Sequence, residues 1–93
     1  MNVKKYFIVK DTTLLGREQR LMYFGMYNFA STSPSPQQID KLGFENCKAA
    51  LDRLAYLSEA YGPESVHGCY VAELQAFFEE NIVYITQSHI GDR

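Results

Sequence analysis

The chain has almost nothing with which to staple itself or cross a membrane. Its two cysteines, Cys47 and Cys69, are too few for a disulfide framework. No apolar run approaches the ~20 residues of a membrane-spanning helix. Behind Lys4 and Lys5 only Tyr6 to Val9 is apolar, so no signal peptide is expected. A net charge of -2 gives no global attraction to nucleic acid. The sequence also contains no GxxxxGK[ST], no GxGxxG and no GxSxG, the spacings that build phosphate cradles and nucleophile elbows. These absences point to a cytoplasmic protein that folds as a single domain over residues 1–93.

What is present is aromatic. Thirteen of 93 residues are Phe or Tyr, and such side chains bury large areas each, which helps a short chain build a core. Val3 to Lys10 has strand character, and its run Tyr6-Phe7-Ile8-Val9 is apolar on both faces, as a central strand requires. Leu14 to Gln19 is ambiguous between loop and strand end. Arg20 to Ala30 reads as extended, with Gly25 marking a bend between two short strands or within one long one. Ser31 to Pro36 is rich in Ser and Pro and is expected as an exposed loop, with Gln37 to Phe44 as a short turn or strand beyond it.

The longest regular signal begins at Phe44, which is placed to pack back as a staple at a helix start. Apolar residues at Cys47, Ala50, Leu51, Leu54, Leu57 and Tyr61 keep helical spacing, with Glu45, Lys48, Asp52, Arg53 and Glu59 on the other side. Gly62-Pro63 ends the helix by a left-handed exit that Pro prevents from continuing. Gly68 to Leu74 and Ile82 to Thr86 are strands; Gln75 to Glu80 has good helix formers but also alternates, and a hairpin tipped by Glu79-Glu80-Asn81 is preferred there over a helix, while 87–93 is expected to fray. The assembly expected is α+β: an antiparallel sheet of four to five strands with one principal helix, about 45–61, packed on one face.

No residue cluster commits the chain to a reaction. Cys47, His67 and Cys69, with His89, lack the paired spacing of a structural zinc site. Either cysteine with either histidine makes a formal nucleophile and base, but both thiols sit where burial is expected, not in an electropositive opening. No enzyme activity, cofactor or metal is therefore expected.

Charge and tyrosine carry the remaining signal. Residues 1–39 have five Lys/Arg against two Asp/Glu, and residues 40–93 have four against nine. The expectation is a protein-binding module whose acidic, Tyr-rich surface meets a basic protein partner through Glu59, Glu64, Glu73, Glu79, Glu80, Tyr23 and Tyr27. The alternative is a sheet that stacks single-stranded nucleic acid on Tyr23, Tyr27 and Phe29, with Lys4, Lys5, Lys10, Arg17 and Arg20 at phosphates. An edge strand such as Ile82 to Thr86 would also allow a homodimer. In size, acidity, compact α+β reading and lack of catalytic motifs, the chain resembles the small proteins with which phages block host defence or transcription machinery, anti-CRISPR inhibitors among them. That resemblance covers general character over the whole chain. It rests on no motif and assigns no residue.

Overall fold

A computed structural model describes residues 2–13 and 19–90. Five strands form one antiparallel sheet: β1 (Asn2–Thr13), β2 (Gln19–Phe24), β3 (Ala30–Ser31), β4 (Cys69–Phe77) and β5 (Ile82–Ile90), in the order β3-β2-β1-β4-β5. The strand with apolar residues on both faces is thus the central one, as the sequence requires. Two helices cover opposite faces, α1 (Pro36–Leu42) and α2 (Cys47–Tyr61), and a short 3-10 turn follows at Pro63–Val66.

Strand parity assigns the two cores. Phe7 and Val9 of β1 join Tyr23, Ala72, Leu74 and Ala76 beneath Ile39 of α1. Ile8 and Val71, on the opposite face, join Phe44 and Ala50 of the α2 segment. The fold is thus the expected α+β arrangement, with the principal helix α2 packed on one face of the antiparallel sheet, and the short helix α1 adds cover on the other. Among the described residues no helix is long and apolar enough to cross a membrane.

Helix α1 replaces the turn or strand expected over Gln37 to Phe44. Its signal lies at its start. Ser35 is the N-cap and accepts from the Gln38 amide at 3.2 Å, while the Gln38 side chain accepts from the Ser35 amide at 2.9 Å. This reciprocal capping box, with Pro36 at the first helical position, specifies a helix start within a segment whose composition suggests a loop. The same docking buries Pro34 and Pro36, so only Thr32 and Ser33 of the Ser/Pro segment are fully exposed. Ser35→Ala should lower stability by about 1 kcal/mol, read as a lower urea midpoint at unchanged slope. An unchanged midpoint would show that the cap contributes nothing to α1.

Helix α2 follows its sequence signal closely. Asn46 caps it by accepting from the Ala49 amide at 2.8 Å, and Gly62 leaves at φ +95°. Phe44 is buried in the same cluster as Ala50, so the expected packing at the helix start holds. Phe44 also pairs with β1: its amide donates to the Tyr6 carbonyl at 2.8 Å and its carbonyl accepts from the Tyr6 amide at 2.9 Å.

The β4–β5 hairpin turns through Phe78–Asn81, where Asn81 takes φ +55°. Its acidic tip is where the sequence places it. Strand β5 runs on to Ile90, into the stretch expected to fray, with Gln87 paired to Ala72 and Ile90 to Val71 across a register shift. Residues 91–93, and 14–18 of the ambiguous stretch, lie outside the described residues.

Candidate interaction surface

Tyr23 and Glu73, both expected on a partner surface, are engaged elsewhere. Tyr23 is 4% exposed and belongs to the core under α1, because it shares the β2 face with Leu21. Burial raises its phenol pKa, with Tyr70 adding to the shift. Glu73 is half-buried on β4, where its carboxylate accepts from the Tyr6 hydroxyl at 3.3 Å and lies 3.7 Å from the Lys4 ammonium.

The other acids are exposed but divided. Glu59 lies on α2 and Glu64 in the 3-10 turn, at the end of the fold where β4 begins. Glu79 and Glu80 lie at the turn where β4 ends. Nine strand residues separate the pairs, a span of about 27 Å at roughly 3.4 Å per residue. The acidic half of the sequence does not fold into one acidic patch.

The nucleic-acid platform is also not displayed. Tyr23 is in the core, and Phe29 packs against it, its ring 6.3 Å from that of Phe7 in an edge-on pair. Lys5 is held by the Asp40 carbonyl at 2.9 Å and the Glu45 carboxylate at 3.1 Å. Arg17 and the Arg20 side chain lie outside the described residues. Of the proposed stacking residues, only Tyr27 is fully exposed, at 82%.

Tyr27 sits at the tip of the β2–β3 hairpin. The Phe29 amide donates to the Met26 carbonyl at 3.1 Å, and both residues between them, Tyr27 and Asn28, have positive φ, +58° and +61°. That is the pattern of a type I′ turn, which suits Asn and Gly and disfavours a bulky residue such as Tyr. The tip is also pinned: the Met26 amide donates to the Leu42 carbonyl at the end of α1 at 2.7 Å. A large aromatic is thus held exposed, in a conformation it disfavours, by structure around it. An outlier of this kind points to function.

Beside the tip is a cleft of about 360 Å³ lined by Met26, Tyr27, Asn28, Phe44 and Arg53. The Arg53 guanidinium stacks 5.0 Å above the Tyr56 ring, which is 54% exposed. Among the described residues Arg53 has no carboxylate partner, and its neighbour Asp52 is taken by Lys48 at 2.9 Å. Hairpin tip and helix therefore bring together Tyr27, Arg53 and Tyr56. Arg53 and Tyr56 are legible in the sequence as an i,i+3 pair on the polar face of α2. Their juxtaposition with Tyr27 depends on tertiary docking.

Strand β5 also exposes apolar side chains, Ile82 and Tyr84 on one face of the sheet and Ile85 on the other, at 37%, 54% and 46%. This edge strand, the one considered for self-pairing, has no charged residue or proline from Ile82 to Ile90. Tyr84 is engaged edge-on with Phe77 at 5.3 Å. Both cysteines are free and half-buried, and among the described residues no group of three or more His, Cys, Asp or Glu is placed to hold a metal ion. No protein-family model, no curated protein and no solved structure matches the chain.

Proposed function

We propose that the chain is a protein-binding module that meets its partner through Tyr27, Arg53 and Tyr56. The exposed, left-handed Tyr27 carries this reading. Tyr, Arg and Met are the residues enriched where binding energy concentrates, and all three types converge at this cleft. Among the described residues Arg53 has no carboxylate partner, and it is already oriented by an aromatic face, so it suits a carboxylate of the partner, which its planar fork can hold through two hydrogen bonds. Glu59, one turn beyond Tyr56 on α2, is the one expected acid close to this surface in sequence, and it would meet a base at the rim. The partner surface proposed is thus mixed in sign and aromatic at its centre, not uniformly basic.

Tyr27→Gly separates binding from folding. Glycine relieves a left-handed bulky residue, so the variant should be more stable by about 1 kcal/mol after allowance for the added chain entropy. Partner affinity should fall at least about thirtyfold, the scale of truncating an aromatic anchor. Thermal unfolding and a binding titration on the same preparation measure both. Undiminished affinity would remove Tyr27 from the contact.

A further inference from the structure

Helix α2 does not seat fully on the sheet. Of its 15 residues only Ala50 is buried, and the stripe leucines Leu51, Leu54 and Leu57 are left half-buried. A helix that presents three leucines to a sheet normally closes over it, since each buried methylene contributes about 0.8 kcal/mol. Here the second half of the helix stands over a cavity of about 260 Å³. Its walls are Ile8 and Phe24 from the sheet, Leu54 and Leu57 from α2, and Val66 from the 3-10 turn.

The polar lining is sparse. The Ser65 hydroxyl is committed to the Gly62 carbonyl at 2.7 Å. Lys10 and Cys69 are cross-strand partners in the register of β1 and β4. Lys10 is half-buried and has no ion pair among the described residues, whereas Lys4, Lys5 and Lys48 pair with Glu73, Glu45 and Asp52. Its adjacent acid, Asp11, alternates to the other face of β1. The cavity thus has aliphatic and aromatic walls and one ammonium with no ion pair among the described residues. Burial pushes the Cys69 thiol pKa up, while Lys10 pulls it back, as a cation close to that sulfur would.

We propose that this pocket binds a small aliphatic monocarboxylate, with its chain between α2 and the sheet and its carboxylate on the Lys10 ammonium. A single cation matches a single negative charge, whereas a phosphate would call for several convergent donors. The volume, at roughly 30 Å³ per small group, admits about nine non-hydrogen atoms. A saturated acid of medium chain length has that size. Its chain would complete the burial of Leu54 and Leu57. This site is separate from the Tyr27 cleft and does not depend on the partner proposed there.

The two free cysteines provide the test. Cys69 lines the pocket and Cys47 does not. Octanoate is titrated into the full chain and iodoacetamide modification of each thiol is followed by peptide mass spectrometry, with octan-1-ol as the uncharged probe. Saturating octanoate should slow Cys69 at least about tenfold and leave Cys47 unchanged. Lys10→Gln should weaken octanoate about tenfold, the scale of one lost charge-assisted hydrogen bond, and leave protection by octan-1-ol intact, which also reports a folded pocket. Three results overturn the proposal: no protection of Cys69 up to the solubility limit, equal slowing of both thiols, or a Lys10→Gln variant that binds octanoate as well as the wild type or loses octan-1-ol as well.

Discussion

Phe7→Ala should cost about 3–5 kcal/mol, the range for removing a buried ring from a packed core. In a domain whose whole stability is of order 5–15 kcal/mol, that leaves a marginal fold. Phe7 is wholly buried on the central strand, among the largest fully buried side chains. Its ring meets Phe29 edge-on and lies against the backbone at both Gly25 and Gly43, where an added Cβ would stand 2.9 and 2.8 Å from it. The ring therefore joins three segments: β1, the β2–β3 hairpin and the end of α1. Small residues at both neighbours mean that the vacated volume has no side chain ready to fill it. Urea unfolding of the variant measures the loss. A change below about 1 kcal/mol would mean the site collapses freely and the core is not organised around Phe7.

The second large effect is expected at Gly25. A Cβ there would run into the Leu42 carbonyl oxygen as well as the Phe7 ring. The ring end can shift, but a carbonyl at a helix terminus cannot shift without moving the helix. Gly25→Ala should therefore destabilise by about 1–3 kcal/mol, as overpacking does, and should separate the hairpin from α1. The direct readout is the Met26 amide, which donates to that same Leu42 carbonyl at 2.7 Å. Its hydrogen exchange should rise well above the change in global stability. Unchanged protection at Met26 would show that the joint does not depend on the missing side chain. Because Tyr27 lies two residues beyond Gly25, the variant should also weaken partner binding by displacing the tip.

Elements with a strong period and clear punctuation are legible in the sequence alone. Strand β1, helix α2 with its Gly62 exit, and the β4–β5 hairpin all have local signals that tertiary packing reinforces. Helix α1 is hidden by composition. Ser and Pro between residues 31 and 36 suggest a loop, and the Ser35 to Gln38 box that starts the helix is only four residues long. At seven residues the helix shows too few turns for a period to emerge.

The interaction surface is harder to read from sequence. Tyr23 and Tyr27 are four residues apart, yet one is 4% and the other 82% exposed. The difference comes from strand parity up to Phe24 and then from two left-handed residues at the tip, neither marked by glycine. The acids group along the sequence but not in space, because charge counted along a chain has no geometry. Glu64 and Glu79 fall at opposite ends of β4, while Arg53, with no carboxylate partner among the described residues, stands beside the exposed tyrosines.

The most direct test of the Tyr27–Arg53–Tyr56 surface is site-specific photo-crosslinking in the source cells. A benzophenone amino acid is placed in turn at Tyr27, Tyr56 and Glu80, and the adducts are identified by mass spectrometry. The account predicts one and the same protein partner captured from the first two positions and none from the third, at the far end of β4. Capture from Glu80 alone, or different proteins from Tyr27 and Tyr56, would contradict it.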